Sequence, residues 1–170
     1  DDSTTYKGGA YTDVDSTSTG IAVITWYDSE NRQLIYSYND NPSGASEAQW
    51  QTNAVIIDDY LAGTHVNMTV DAADGIHIAY NSSAAGDLKY AYLSSYDDTT
   101  ATAVTVDSFL STGTNISIST RFEGGNYVPY FSYYQPSFGG NLGSIKVDWR
   151  SDMVTLSNGA VVDKFTGAWE

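Results

Sequence analysis

Three oxygen-bearing side chains near the start of the sequence stand at alternate positions, where they could hold a metal ion. They are Asp13, Asp15 and Thr17. Calcium prefers carboxylate and other oxygen ligands, so a calcium site is one interpretation of this segment. The segment lacks the glycine and the distal glutamate of an EF-hand loop, which leaves an ordinary solvated turn as the alternative. No other cofactor is indicated.

The two histidines of the chain, His65 and His77, both fall within segments that have a strand pattern. A shared metal ion would require Asp71 or Asp74 nearby and a close approach of two different strands. The pattern favours histidines that pack and form hydrogen bonds within the fold.

No combination of residues predicts a catalytic centre. A nucleophile beside a base, a metal-binding cluster and a phosphate-binding loop are all missing from the sequence. The 21 acidic residues would allow carboxylate chemistry on a glycan, but their number alone does not place two of them together. We expect a chain without catalytic residues, with a glycan-processing hydrolase as the alternative.

Aromatic residues are abundant, with 14 tyrosines and four tryptophans. Seven of them recur at strand positions, where packing between sheets accounts for them: Tyr36, Tyr38, Tyr80, Tyr90, Tyr92, Tyr133 and Trp149. Less periodic aromatics lie in or near loops, and such residues offer large contact areas to a sugar or a protein partner. The predicted binding residues are Tyr60, Tyr96, Tyr127, Tyr134 and Phe138.

Composition limits the kinds of partner. The chain of 170 residues carries 21 acidic and seven basic side chains, a net charge of −14 that repels nucleic acid. It has no cysteine and no apolar run of the length of a membrane span, and Asp1-Asp2-Ser3 lacks the basic and apolar regions of a signal peptide. The richness in Thr, Ser, Gly, Tyr and Asp is typical of secreted bacterial β-proteins, so we expect an extracellular or periplasmic mature protein.

A hairpin pattern at residues 75–92 occurs three times in the chain. Ile78-Ala79-Tyr80-Asn81 aligns with Ile24-Thr25-Trp26-Tyr27 and Phe131-Ser132-Tyr133-Tyr134. Each is followed by a second alternating segment and preceded by a strand that begins with glycine and a small residue. A fourth strand ends on aspartate in every repeat, at Asp58, Asp107 and Asp163.

These repeats predict an all-β fold with essentially no helix. Four strands in roughly 50 to 57 residues are typical of β-propeller blades. We therefore expect a single domain of three four-stranded antiparallel blades at approximately 9–62, 63–112 and 113–166, with His77, Lys89 and Tyr130 on central strands. A β-sandwich is the alternative.

The hairpin also resembles a repeat of secreted bacterial β-propellers, in which an x-H-I-x-Y strand is followed by D-L-K-Y-A. Asp74-Gly75-Ile76-His77-Ile78-Ala79-Tyr80 and Asp87-Leu88-Lys89-Tyr90-Ala91 carry this resemblance, and residues 128–134 carry it less closely. Such repeats are similar to those of the sialidase-like propellers, which implies a propeller fold and a glycan-processing alternative. The Asp-box S-x-D-x-G-x-T-W is absent, and Arg32, Arg121 and Arg150 stand at non-equivalent repeat positions.

The last four residues repeat the start of a unit. Gly167-Ala168-Trp169-Glu170 matches Gly9-Ala10-Tyr11-Thr12, as a stub of a fourth blade. Propellers typically have four to eight blades, so three would leave an open arc. We expect a non-catalytic extracellular binding or assembly module, completed by further blades or by other chains as an oligomer, with residues 167–170 as assembly residues.

Overall fold

The computed structural model describes residues 9–41, 46–108, 114–135, 144–149, 154–155 and 161–162. Its elements confirm an all-β fold built from antiparallel sheets. One short helix, which the repeat pattern did not predict, interrupts the strands. In order, the elements are β1 (Ala10–Ser16), β2 (Ala22–Asp28), β3 (Gln33–Asn39), α1 (Glu47–Thr52), β4 (Val55–Asp58), β5 (Ala62–Val70), β6 (Ile76–Ser82), β7 (Asp87–Leu93), β8 (Thr102–Asp107), β9 (Thr114–Glu123), β10 (Asn126–Gln135), β11 (Ser144–Trp149), β12 (Val154–Thr155) and β13 (Val161–Val162).

The first two sheets are four-stranded meanders in which each strand pairs with its neighbour in sequence. The first sheet has the order β1-β2-β3-β4 and the second sheet has the order β5-β6-β7-β8. His77 on β6 and Lys89 on β7 therefore lie on central strands, as predicted. Tyr130 lies on β10, the middle strand of the third sheet.

The third sheet differs from the other two in its described part. It contains three strands in the order β11-β10-β9. The fourth strand predicted at residues 160–163 is described only at Val161–Val162, where it pairs with Val154–Thr155 in a separate two-stranded ladder.

Apolar side chains of the first and second sheets face each other and form one core. Because side chains alternate between the two faces of a strand, every second residue contributes to it. The buried residues are Val23, Leu34, Tyr36 and Ile57 from the first sheet and Met68, Ile76, Ile78, Tyr80, Ala91 and Leu93 from the second.

The opposite face of the second sheet packs against the third sheet in another core. Here Ala79, Leu88, Tyr90 and Val106 meet Ile118, Phe131 and Tyr133. The ring of Tyr90 lies edge-on to Phe131, with centroids 5.7 Å apart. Every residue of β6 is buried, because its two faces lie against different sheets.

A hydrogen bond between successive first strands recurs at both junctions, and we call it the first-strand link. Asp13 on β1 accepts from the backbone N–H of Met68 on β5 at 2.7 Å. At the next junction, Asn67 on β5 accepts from the backbone N–H of Ile118 on β9, also at 2.7 Å. The Asn67 Nδ2 also donates to Asp13 Oδ2 at 2.6 Å, so one side chain connects all three strands.

A second recurring contact, the fourth-strand link, accounts for the aspartate that closes each of the first two repeats. Asp58 at the end of β4 accepts from the hydroxyl of Tyr80 at 2.9 Å and from Lys89 Nζ at 2.7 Å. Asp107 at the end of β8 accepts from the hydroxyl of Tyr133 at 2.8 Å. At both described junctions, an acid on the last strand of one sheet thus bonds to a tyrosine on the second strand of the next sheet.

Replacing Asn67 by alanine tests the first-strand link. The substitution leaves the Ile118 N–H without its acceptor and removes one donor from Asp13, so we expect the free energy of unfolding to fall by about 1–3 kcal/mol. Chemical denaturation followed by circular dichroism measures this difference. Asn126→Ala, at the start of β10, serves as the matched control and should change the free energy by less than about 0.5 kcal/mol. Equal effects of the two substitutions would contradict the assignment.

Candidate functional site

A cleft of about 340 Å³ lies at one end of the first sheet. Three segments line it: the turn between β1 and β2 at residues 19–22, the end of β3 at residues 39–41, and Trp50 of the helix. All three segments lie at the same end of the first sheet. This end contains the turn that joins β1 to β2 and the connection that joins β3 to β4. The cleft therefore depends on the local structure of two connections.

The turn between β1 and β2 is closed by the buried side chain of Thr17. Its hydroxyl oxygen accepts from the N–H of Ile21 at 3.0 Å, and its carbonyl accepts from the N–H of Gly20 at 2.9 Å. Gly20 adopts a φ of 82°, in the left-handed region that glycine enters without strain. These bonds fix one wall of the cleft.

The helix α1 forms the other wall and is fastened to β3. Ser46 caps it by accepting from the N–H of Gln49 at 3.3 Å, and Gln49 Nε2 donates to Asp40 at 2.9 Å. The hydroxyl of Ser37 donates to the carbonyl of Trp50 at 2.6 Å. A six-residue helix has little stability of its own, so these side-chain contacts are what hold Trp50 in place.

Asn39 lines the cleft and has a donor without a partner among the described residues. The residue is only 7% exposed. Its Oδ1 accepts from the N–H of Asn41 at 2.9 Å, which fixes the orientation of the amide. Its Nδ2 is buried and has no hydrogen-bond partner among the described residues. Because an unpaired buried donor is unfavourable, this amide is suited to an acceptor brought by a ligand.

A second feature is a row of residues with left-handed backbone at the beginnings of the three first strands. Tyr11, His65 and Asn115 have φ values of 58°, 54° and 51°, at the same position of each repeat. Such values are uncommon for residues other than glycine. The rings of Tyr11 and His65 lie 4.7 Å apart, and His65 Nδ1 is buried with no partner among the described residues.

Gly63 shows why the chain is so closely constrained at this row. Its φ of 105° favours glycine, and a Cβ atom there would lie 2.9 Å from the Cβ of Leu34 in the first sheet. Gly63 thus permits the close approach of the second sheet to the first. The left-handed backbone recurs in all three repeats and is therefore a property of the scaffold. The three side chains at these positions differ in chemistry.

The residues predicted to bind calcium are engaged by amide groups. Asp13 and Asp15 each accept from the N–H of the following residue and, with Oδ2, from main-chain N–H groups of β5. Thr17 is buried in the turn described above. Among the described residues, no group of three or more histidine, aspartate or glutamate side chains is placed to hold a metal ion. The calcium site stays a prediction.

His77 is enclosed in a buried network with Asp71 and Tyr90. Its Nε2 lies 2.9 Å from Asp71 Oδ2, and its Nδ1 lies 2.8 Å from the Tyr90 hydroxyl. Burial acts to raise the pKa of Asp71, but hydrogen bonds from His77, Gly75 and Ala73 outweigh it and lower that pKa. Burial, followed by the nearby Tyr92 and Asp71, raises the pKa of Tyr90 well above its usual value. With His77 only 1% exposed, the network serves the fold.

The predicted aromatic binding residues lie at two ends of the sheets. Tyr60 is highly exposed in the connection between β4 and β5. Tyr96 packs its ring on Tyr38 at the opposite end, and its carbonyl accepts from the Tyr36 hydroxyl.

The remaining aromatic predictions fall in the third unit. Tyr127 and Tyr134 lie near the two ends of β10, roughly 23 Å apart for an extended strand. Phe138 lies outside the described residues, as do the assembly residues 167–170. The structure does not bring the described four together on one face, and their role in binding stays a prediction.

The cleft was not predicted from the sequence, although the sequence contains one motif that indicates the helix beside it. Ser46-Glu47-Ala48-Gln49 fits the capping-box pattern that starts helices. That pattern indicates a helix in the connection between β3 and β4 and so draws attention to Trp50. The unsatisfied amide of Asn39 has no signature in the sequence.

Comparisons with known proteins add no family assignment. The chain matches no protein-family model. A search of curated proteins finds no match either. Within the described residues, no helix is long and apolar enough to cross a membrane.

Replacing Asp71 by asparagine tests the buried network through its pH dependence. Because the fold lowers the pKa of Asp71 below its usual value near 3.8, the carboxylate stabilises the fold above that value. This stabilisation is lost as the pH falls through the folded pKa. We expect Asp71→Asn to lower the free energy of unfolding by about 1–3 kcal/mol at pH 7 and to flatten its decline in acid.

Denaturant unfolding at a series of pH values between 7 and 2 measures both effects. Asp59→Asn, which changes an exposed acid, is the control and should keep the parent's acid profile. A parent-like profile for Asp71→Asn would exclude the carboxylate as a source of acid sensitivity.

Proposed function

We propose that this chain is a non-catalytic binding and assembly module, an arc of a β-propeller that is completed by another repeat unit. Three sheets packed in series support the propeller over a β-sandwich, since a sandwich has only two layers. The second sheet is covered on both faces, and the first strands β1, β5 and β9 lie side by side. These are the contacts expected of neighbouring blades around a common centre.

The observation that carries the proposal is the exposure of Val14. At the two junctions, the equivalent residues Met68 and Ile118 are 5% and 7% exposed, because the preceding sheet covers them. Val14 occupies the same position on β1 and is 66% exposed. Its N–H bonds to the adjacent Asp13, whereas the N–H groups of Met68 and Ile118 bond to the preceding first strand.

The same side of the first sheet carries further apolar residues. Side chains opposite one another in antiparallel strands share a face, which places Trp26, Ile35 and Ile56 beside Val14. Trp26 and Ile35 are buried, whereas Ile56 is exposed. Val14 and Ile56 are therefore apolar positions that a further unit would cover.

The partner that fits this side is another unit of the same kind. Such a unit would supply an acceptor on its first strand and an aspartate at the end of its fourth strand. Copies of this chain joined head to tail would provide both, and residues 167–170 would extend the contact at the joint. Repetition of one contact in this way generates either a closed ring or an open array.

A role without catalysis is supported by the inaccessibility of the network around His77. His77, Asp71 and Tyr90 are all buried and face one another, so no substrate in solvent reaches them. Arg32 lies in the turn between β2 and β3, and Arg121 lies near the opposite end of β9. To bind one carboxylate substrate together, Arg32 and Arg121 would have to be neighbours. The acidic, cysteine-free composition suits an extracellular or periplasmic setting.

Measuring the mass in solution tests the proposal. We expect sedimentation equilibrium at micromolar concentration to give a mass above the 18.4 kDa of one chain, and the mass to rise with concentration. Val14→Asp should return the protein to 18.4 kDa, because it places a charge in an apolar contact. Phe122→Asp is the control, since Phe122 is 61% exposed and shares the side of β9 that carries Ile118.

The Phe122→Asp protein should associate like the parent. A parent chain that stays monomeric and dispersed at these concentrations would overturn the assembly, and so would a Val14→Asp protein with undiminished mass.

A further inference from the structure

We propose that the cleft between the β1–β2 turn and the helix binds a neutral carbohydrate. The inference is independent of the assembly described above, because the cleft lies at the end of the first sheet and the two tests have different readouts. It rests on three features of the cleft: a fixed unsatisfied donor, a neighbouring carboxylate and an aromatic side chain at the rim.

The donor is Nδ2 of Asn39. Rotating the amide by half a turn would place its NH₂ against the N–H of Asn41, so the donor cannot find a partner by flipping. The group is buried and unpaired among the described residues. A hydroxyl or ring oxygen would satisfy it once the lining of the cleft shifts to expose this buried group, and a metal cation would not.

The carboxylate is that of Asp40, the next residue along the cleft. Its Oδ1 accepts from Gln49 Nε2 at 2.9 Å, which holds the side chain beside the helix. A negative group in the cleft, on a chain with a net charge of −14, disfavours phosphate and carboxylate ligands. Hydroxyl groups both donate and accept, so a polyhydroxylated neutral ligand can satisfy Asp40 and Asn39 together.

The aromatic side chain is that of Trp50. An indole offers a flat apolar surface, and the C–H face of a sugar ring is a suitable partner for it. A volume of about 340 Å³ is at the lower end of the roughly 300–1,000 Å³ found for small-molecule sites. The cleft is therefore suited to a small saccharide or to the end of a longer glycan.

The connection that carries Trp50 differs from its counterpart in the second unit. It spans residues 40–54 and contains α1, whereas the equivalent connection in the second unit spans residues 94–101 and has no helix. Loops added to a repeat scaffold are common positions for recognition. The helix thus converts one end of a structural sheet into a concave surface.

Saturation-transfer NMR with a panel of neutral mono- and disaccharides tests the inference, with glucose, galactose, mannose, N-acetylglucosamine, maltose and cellobiose as probes. We expect at least one probe to bind, and titration calorimetry then gives its Kd. Asn39→Asp keeps the acceptor for Asn41 and removes the donor, so it should weaken that Kd at least about tenfold. Trp50→Phe, which retains an aromatic ring, should weaken it less.

Asn126→Asp is the matched control, because it adds the same charge at the third sheet, and it should leave the Kd unchanged. Thermal unfolding of each variant identifies any that fails to fold, and Asp40→Asn then provides a second test in the cleft. Failure of the whole panel to bind, or a Kd that neither Asn39→Asp nor Asp40→Asn alters, would overturn the proposal. Neither outcome of the binding test changes the mass in solution, which tests the assembly separately.

Discussion

Contact between sheets is the constraint on which this molecule depends. A four-stranded sheet has two faces and little thickness, so it cannot enclose a core by itself. The second sheet solves this by burying apolar side chains on both faces, against a different sheet on each. Asp13, Asn67, Asp58 and Asp107 then fix how the sheets meet, because each bonds across a junction.

The abundant acids have a structural use that the net charge alone would not suggest. Several carboxylates accept from backbone N–H groups in turns and junctions, including those of Asp13, Asp15, Asp28 and Asp71. Bonds from an N–H to a carboxylate are stronger than bonds between neutral groups, and they need no basic partner. A chain with few lysines and arginines can therefore be acidic without leaving all of its acids unsatisfied.

The repeat pattern predicted much of this architecture because the alternation of side chains in the sequence reflects which of them are buried. Alternation in residues such as Ile76, Ile78 and Tyr80 follows from the two faces of a strand, so strand positions and central strands were predictable. The aspartate at the end of each fourth strand was also visible. Its partner was not, because a pattern of period two does not say which face meets the neighbouring sheet.

Other features could not be predicted because they oppose local preference. Tyr11, His65 and Asn115 adopt a left-handed backbone that is uncommon outside glycine, although asparagine and histidine enter it more readily than tyrosine. The helix is short and depends on bonds to β3, so its capping box was a weak signal against a β background. The cleft itself arises from two connections that are distant in sequence from each other.

Buried tyrosines at the junctions also determine how the protein responds to alkali. Burial, with Tyr38 and nearby acids, raises the pKa of Tyr36, and burial with Asp58 raises that of Tyr80. Both rings belong to the core between the first and second sheets. Above pH 10 the unfolded chain loses these phenolic protons while the native chain retains them, so base pulls the equilibrium toward separated sheets. The phenolate absorbance of Tyr36 and Tyr80 would then appear only as the sheets part, so this share of the alkaline absorbance change reports on the packing between them.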